Sequence, residues 1–362
     1  MKASRRQFLA LAGSTLAALP MSALETTPKP TADRPRAQGR FPAIDCQSHL
    51  FCPDMVALMV KRKAEPFIER RNGERYLLMG AWQRRILPKH MDIPAKLADM
   101  DANGIATTAL SINDPGPEWF GADAAAVAQL ANDFIAGVVR QHPRRFFGLC
   151  VLPLPDTRTA QAELDRCVKR LGMKGILLYT NILGRFPDEP QFRWLFARAV
   201  ELDIPVLLHP AKPVTTEQVK GYEMISALGN MFDDTIALTR LIMSGLLDEF
   251  PKLKLVCPHL GGTLPYVIGR LDHQTQIFKR GPKNLTRAPS EYLKQVWLDI
   301  VSPLPGAMRL ACDLMGPARL LFASDHPWVA PELVLDALRR LHLPAADSAK
   351  ILGENAKTLF RI

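Results

Sequence analysis

From Phe41 onward, short apolar runs alternate with longer segments whose apolar residues recur every three or four positions. The short runs are rich in Val, Ile, Leu and aromatic residues, which is typical of buried β-strands. The longer segments, such as Ala124–Gln141, have the periodicity of amphipathic helices. The pattern predicts eight strands, at Ala43–Leu50, Ile105–Ile112, Phe146–Leu154, Gly175–Asn181, Ile204–Pro210, Leu253–Leu260, Val296–Ser302 and Leu320–Pro327.

Alternating strands and helices favour βαβ units and a parallel sheet, and eight such units favour one (β/α)8 TIM barrel of the α/β class. Several predicted strands end in a polar residue or Pro, among them His209-Pro210 and Asp325-His326-Pro327. Such strand ends lie together at the C-terminal face of a barrel, where active sites are built. Residues 51–91 are too long for a simple connection after the first strand, so they predict a lid inserted over this face.

The first 24 residues predict an export signal. Lys2, Arg5 and Arg6 form a basic start, and the apolar stretch Phe8–Leu19 that follows is too short to span a membrane. The run Ser4–Leu9 resembles the twin-arginine motif of bacterial export signals. We therefore predict a twin-arginine signal peptide over residues 1–24, a flexible Pro-rich linker over residues 25–40, a barrel over residues 41–362, and a periplasmic location with no membrane association beyond the signal.

Composition and charge narrow the classes of partner. The 362 residues are 48% hydrophobic and 23% charged, which excludes a disordered or collagen-like chain. The net charge of +10 is concentrated in residues 51–90, which hold nine basic and four acidic residues, whereas residues 91–362 hold 30 and 29. Aromatic residues are 7% and no basic stripe is interleaved with them, so nucleic acid is not an expected partner. The basic lid favours a small anionic organic-acid substrate instead.

Polar side chains gather at the predicted strand ends. Gln47 and His49 end the first strand, and their spacing of two points both into the barrel. His209, His259 and Asp325 end the fifth, sixth and eighth strands. Imidazole nitrogens and carboxylate oxygens together suit a divalent transition metal, which polarises a substrate oxygen or lowers the pKa of a bound water.

Four motifs are spaced along residues 41–362: Ile44-Asp45-Cys46-Gln47-Ser48-His49, Leu208-His209-Pro210, His259-Leu260-Gly261-Gly262 with Gly269-Arg270 beyond it, and Ala323-Ser324-Asp325-His326-Pro327. Through them the chain resembles the amidohydrolase-related (amidohydrolase 2) barrels typified by aminocarboxymuconate semialdehyde decarboxylase. The resemblance implies that Gln47, His49, His209 and Asp325 are metal ligands and that His259 and Asp325 are catalytic. It also implies a homodimer as one assembly.

Two further residues are candidates for binding substrate. Arg270 follows the glycine-rich loop after the sixth strand and is suited to grip a carboxylate, although a helix surface explains it equally well. Asn181 ends the fourth strand, where a role in a turn is the alternative.

Gln47 departs from the resemblance, because the family usually has histidine there. A neutral amide oxygen is a weaker ligand than imidazole for zinc. Three interpretations stay open. A divalent metal, expected to be zinc with manganese as the alternative, binds through His49, His209 and Asp325, with Gln47 as a weak ligand or next to the ligands; the barrel works without metal and Gln47 binds substrate; or the site is a binding pocket without activity.

The same residues support two kinds of chemistry. Non-oxidative decarboxylation of a small aromatic or muconate-type acid is the function we expect, because the loop after the sixth strand looks most like the decarboxylase branch of the family. Hydrolysis of a lactone, ester or amide is the alternative, and a non-catalytic periplasmic binding barrel is the weaker one. The fold itself does not decide between them.

Overall fold

The computed structural model describes residues 42–362, so the predicted signal peptide and linker lie outside the described residues. Within the described part, eight parallel strands form one sheet and occur in it in chain order. They are β1 Ala43–Leu50, β5 Ile105–Ile112, β6 Phe146–Cys150, β7 Gly175–Tyr179, β8 Val206–His209, β9 Leu255–Cys257, β10 Trp297–Asp299 and β11 Leu320–Leu321. The prediction of a (β/α)8 barrel is confirmed.

The barrel closes between its first and last strands at the residues that the sequence singles out. The backbone N–H of Asp325 donates to the carbonyl of Gln47 at 2.9 Å, and that of His49 donates to the carbonyl of His326 at 2.8 Å. The peptide segment after β11 is therefore held against β1, and Asp325 is brought beside Gln47 and His49.

Helices follow the strands and cover the outside of the barrel. They are α1 Pro53–Lys61, α2 Ile93–Ala102, α3 Ala124–Gln141, α4 Thr157–Lys169, α5 Arg193–Leu202, α6 Thr216–Val219, α7 Asn230–Met243, α8 Leu246–Glu249, α9 Leu264–Asp272, α10 Pro289–Leu293, α11 Pro305–Met315, α12 Pro331–Arg339, α13 Ala345–Ala349 and α14 Asn355–Phe360. By length and composition alone, the segment Pro117–Gln141 could cross a membrane. The apolar residues on one face of α3 instead pack into the hydrophobic core of the barrel.

The insertion predicted at residues 51–91 contains α1 and a separate antiparallel sheet, β2 Phe67–Arg71, β3 Glu74–Met79 and β4 Trp82–Ile86. This sheet contacts the C-terminal face at two places. Trp82 Nε1 donates to Ser226 Oγ at 2.9 Å, and Arg84 donates to Asn113 Oδ1 at 2.7 Å. The insertion is therefore anchored to loops that follow β8 and β5.

Most strands end earlier than the sequence predicts. Only β1 and β5 have the predicted bounds, and the predicted eighth strand, Leu320–Pro327, is regular only at Leu320–Leu321. The reason is that the apolar run continues into residues whose backbone leaves the ladder. Asp325, for example, has a φ of +55°, in the left-handed region that a regular strand does not use.

Candidate active site

Three side chains from distant parts of the chain meet at the C-terminal face of the barrel. His49 ends β1, His209 ends β8, and Asp325 lies in the segment after β11. One ligand atom of each lies within 4.8 Å of the others, and His49 Nε2 is 3.2 Å from Asp325 Oδ1. The convergence of His49, His209 and Asp325 agrees with the positions that the sequence predicts.

The two histidines present their Nε2 atoms to this cluster because their Nδ1 atoms are bonded elsewhere. His209 Nδ1 lies 2.8 Å from the carbonyl of Pro210, and His49 Nδ1 lies 2.8 Å from Ser111 Oγ and 3.3 Å from the carbonyl of Ile112. A carbonyl only accepts, so Nδ1 carries a proton in both rings, and Nε2 is the nitrogen that a metal would bind. Burial, together with His49, holds the pKa of His209 well below its usual range, so the ring is neutral, as a metal ligand must be.

Gln47 brings a fourth side chain to the cluster. Its Nε2 donates to Asp325 Oδ1 at 3.3 Å, whereas its buried Oε1 has no hydrogen-bond partner among residues 42–362. A buried acceptor without a partner is costly unless a ligand or water satisfies it. Two imidazole nitrogens, one carboxylate and one amide oxygen therefore fit a divalent cation.

His259 borders the same cluster and is fixed by carboxylates on two sides. Its Nδ1 lies 2.9 Å from Asp234 Oδ2 on α7, and its backbone N–H donates to Asp299 Oδ1 at 2.8 Å. Its Nε2 lies 3.8 Å from Asp325 Oδ2. Burial alone would lower the pKa of His259, but Asp234 and Asp325 hold it well above its usual range.

The carboxylates around His259 differ in their protonation. Burial alone would raise the pKa of Asp325, but His259 and His49 hold it below its ordinary value, so this carboxylate is ionised. Burial raises the pKa of Asp234 to about 6 and that of Asp299 to about 7, in both cases against the opposing effect of His259. In the metal-free protein the proton is therefore held on His259 rather than on Asp325.

A cavity of about 820 Å³ opens beside the cluster and is lined by His209, His259 and Asp325. Arg84 and Arg85 of β4 form part of its wall. The guanidinium of Arg84 lies 4.5 Å from the ring centre of Trp82 and 4.4 Å from that of Trp328, and it forms an ion pair with Asp114. Apolar side chains complete much of the lining, including Met231, Val301, Ala307 and Val329.

Two predicted substrate-binding residues lie elsewhere. Arg270 is exposed on α9, and Asn181 is buried; neither lines this cavity. Asn181 donates to Asp233 Oδ2 at 2.7 Å and to the carbonyl of Lys212 at 3.0 Å, and it accepts from the backbone N–H of Gly184. These bonds are those of a residue that orders a turn, and the substrate roles of Arg270 and Asn181 stay predictions.

Two residues of the site are not singled out by the sequence. Asp234 lies within a helix, where no strand end or motif marks it, and only the fold brings it to His259. Arg84 is one of nine basic residues in the insertion, and its spacing does not distinguish it from the others. The insertion's charge is therefore the one sequence signal that pointed toward Arg84.

Comparison with known proteins identifies the family of this chain. The amidohydrolase family model Amidohydro_2 matches residues 44–362. The chain is 32% identical over 279 residues to gamma-resorcylate decarboxylase of Polaromonas sp. strain JS666, covering 73% of this chain and 85% of that protein. It is 31% identical over 240 residues to 2-amino-3-carboxymuconate-6-semialdehyde decarboxylase of Dictyostelium discoideum, covering 65% and 66% of the two chains.

A solved structure is similar over most of the chain. It is the crystal structure of dihydroxybenzoic acid decarboxylase from Polaromonas sp. JS666 with bound manganese and the inhibitor 2-nitroresorcinol. The TM-score is 0.74 at 26% identity, and the match covers 89% of this chain and 97% of that one. The family model and the relatives agree on the family, and this structure has the same fold.

Proposed function

The chain belongs to the amidohydrolase 2 family, and from this premise we propose that it is a metal-dependent carboxy-lyase that removes carbon dioxide from a small aromatic acid without an oxidant. The observation that carries the proposal is the cluster of His49, His209 and Asp325 at one edge of a cavity that His259 also lines. Relatives that act on aromatic or muconate-type acids support the same class of reaction.

The metal would be held by His49 Nε2, His209 Nε2, a carboxylate oxygen of Asp325 and, as a neutral fourth ligand, Oε1 of Gln47. When bound, a divalent cation neutralises and orients the acid's oxygen atoms beside His259. We propose manganese rather than zinc, because amide and carboxylate oxygens suit the harder ion and because the similar structure contains manganese. Metal analysis of the purified protein, followed by reconstitution with each ion, tests this choice.

The chain's own residues supply the proton that the reaction needs. The bond between the ring carbon and the carboxylate breaks, carbon dioxide leaves, and the ring carbon keeps the electron pair and takes a proton in its place. His259 lines the cavity and lies outside the proposed set of metal ligands, whereas Asp325 belongs to it. We therefore assign proton delivery to His259 and electrostatic support to Asp325.

The cavity wall selects an anionic aromatic molecule. Arg84 and Arg85, which pair with Asp114 and Glu74, place guanidinium groups in the wall, and the apolar side chains of the lining would contact a ring and exclude water. An aromatic ring can also lie against Trp328, which already stacks on Arg84. Charge and apolar surface together favour a ring that bears a carboxylate over a purely aliphatic acid.

Incubating the metal-loaded protein with a panel of hydroxybenzoic, methoxybenzoic and muconate-type acids tests the proposal. Release of carbon dioxide, together with one deuterium at the former carboxyl carbon in deuterated water, is the expected result. Turnover of lactones, esters or amides without carbon dioxide would make the protein a hydrolase. Saturable binding of an acid with no turnover under any metal would make it a binding protein.

We also propose that the mature protein acts in the periplasm, on the basis of the twin-arginine motif in residues 1–24. Fractionation of bacterial cells that express the full chain should place the protein in the periplasm. Replacing both Arg5 and Arg6 with Lys should retain it in the cytoplasm, and a location that does not respond to this change would refute the proposal.

A further inference from the structure

The loop that carries His259 is docked onto the N-terminal half of α7. Thr235 Oγ1 accepts from the backbone N–H of Thr263 at 2.8 Å and bonds to Thr263 Oγ1 at 3.0 Å. Gly262 has a φ of +64°, and a Cβ there would lie 2.3 Å from the carbonyl of Met231. Only glycine allows this approach, so the loop and the helix are held at a fixed separation.

This docking places Asp234, the residue of α7 that precedes Thr235, against the ring of His259. Asp234 is completely buried, and its Oδ2 lies 2.9 Å from His259 Nδ1. Its other oxygen, Oδ1, has no hydrogen-bond partner among residues 42–362. A buried carboxylate is costly unless a donor satisfies it, and the ring N–H of His259 is its one side-chain donor in the described structure.

The contact decides which nitrogen of His259 faces the cavity. With Nδ1–H directed at Asp234, Nε2 is the atom turned toward Asp325, at 3.8 Å from Oδ2. A ring turned over about its Cβ–Cγ bond would lose the bond to Asp234 and leave its carboxylate unpaired. The backbone contact to Asp299 fixes the loop but does not choose between the two ring orientations.

We propose that Asp234 is a positioning residue for the reaction: it holds the imidazole of His259 so that Nε2 is the nitrogen that exchanges a proton with the substrate. It keeps the Nδ1 proton in place while Nε2 loses and regains its own. The role of Asp234 in turnover rests on the proposed function. The orientation of the His259 ring does not depend on that function.

The test compares Asp234→Asn with Asp233→Asn in the metal-loaded protein. Both positions are completely buried on adjacent residues of α7, but Asp233 accepts from Thr180, Asn181 and the backbone N–H of Val214 and does not contact His259. For Asp234→Asn we expect kcat to fall about 10- to 100-fold with little change in KM. For Asp233→Asn we expect a lower Tm and a kcat close to that of the parent protein.

Nitrogen-15 spectra of histidine-labelled, zinc-loaded protein supply a readout that a merely structural role would not change. The His259 resonances, identified by their loss in His259→Gln, should show a protonated Nδ1 in the parent and in Asp233→Asn. In Asp234→Asn that signature should be lost or mixed. An unchanged kcat in Asp234→Asn, or an equal loss in Asp233→Asn, overturns the proposal.

The two proposals fail in different ways. If the parent protein releases no carbon dioxide from any acid, the proposed function fails, and the spectra still decide whether Asp234 orients His259. If the parent is an active decarboxylase and the Nδ1 signature survives in Asp234→Asn, the positioning role alone is wrong.

Discussion

The amide nitrogen of Gln47 lies 3.3 Å from Oδ1 of Asp325, the same carboxylate oxygen that His49 Nε2 approaches to 3.2 Å. The amide therefore turns its nitrogen toward the one anionic ligand and leaves Oε1 without a partner in the described residues. A glutamine is suited to this place because it interacts favourably with Asp325 whether or not a metal is present. The consequence is that Asp325 is the one side chain with a negative charge among Gln47, His49, His209 and Asp325.

Adding a second charge at position 47 should strengthen metal binding and weaken the metal-free protein. Gln47→Glu would place two carboxylates in contact, so we expect a lower Tm without metal because like charges repel. With manganese we expect the dissociation constant to fall at least about tenfold, or ~1.4 kcal/mol. Competition with a chelator measures the affinity, and calorimetry measures the Tm.

A non-ligating variant completes that experiment. Gln47→Leu should weaken manganese binding if Oε1 is a ligand, and it should leave affinity unchanged if the amide only braces Asp325. Equal affinities in the parent, Gln47→Glu and Gln47→Leu would contradict the assignment of Gln47 to the metal.

Removing one histidine of the cluster should strongly weaken metal binding without unfolding the barrel. His209→Ala deletes a neutral imidazole whose Nε2 has no hydrogen-bond partner in the described structure, so we expect the dissociation constant to rise at least about 100-fold. His273→Ala is the control, because that ring is exposed just beyond the end of α9 and contacts Phe278. Metal content after dialysis measures the difference, and full retention of metal by His209→Ala would count against the site.

Much of this site can be predicted from the sequence because its members lie at strand ends. The alternation of apolar and polar residues in Ala43–Leu50 predicts that Gln47 and His49 face one way, and the polar ends of the later runs predict His209, His259 and Asp325. Parallel strands bring such ends to one face in any barrel, so local pattern is enough to assemble them.

The remaining parts depend on contacts that no local pattern encodes. Asp234 reaches His259 only because Gly262 and Thr263 dock on α7, which is a tertiary relationship between segments about 25 residues apart. Asn181 has the same kind of position as the residues of the cluster, yet its amide is hydrogen-bonded to Asp233 and to the carbonyl of Lys212. A strand-end position thus predicts where a residue lies but does not predict which groups its side chain contacts.

The basic insertion should make substrate capture depend on salt. If Arg84 and Arg85 attract an anionic acid, kcat/KM should fall about threefold between about 20 mM and about 300 mM KCl, because salt screens the attraction. Arg85→Gln should reduce kcat/KM and flatten this dependence, since Arg85 lines the cavity. Arg75→Gln removes the same charge from β3, away from the cavity, and should change both quantities less. Equal effects of the two variants would show that only net charge matters.

A buried acid that is not part of the metal cluster should make the fold less stable as pH rises. Glu118 is 4% exposed, and its Oε1 has no hydrogen-bond partner in residues 42–362. Burial raises its pKa to about 8 from an ordinary value of 4.5, so the folded protein keeps a proton that the unfolded chain releases between these values. The stability is fully present below pH 4.5 and is lost as pH rises toward 8, at up to ~1.4 kcal/mol per pH unit.

Replacing Glu118 with the neutral amide of the same shape should remove that loss. Glu118→Gln should match the parent protein near pH 5 and unfold at a higher Tm near pH 8, because glutamine has no proton to release. Glu163→Gln is the matched control: Glu163 is also buried, but it pairs with Arg166 at 2.8 Å and accepts from Asn132, so this variant should be less stable than the parent at both pH values. Thermal unfolding of the three proteins across this range measures the effect. A Glu118→Gln variant whose Tm falls with pH as steeply as that of the parent would mean that another group causes the loss.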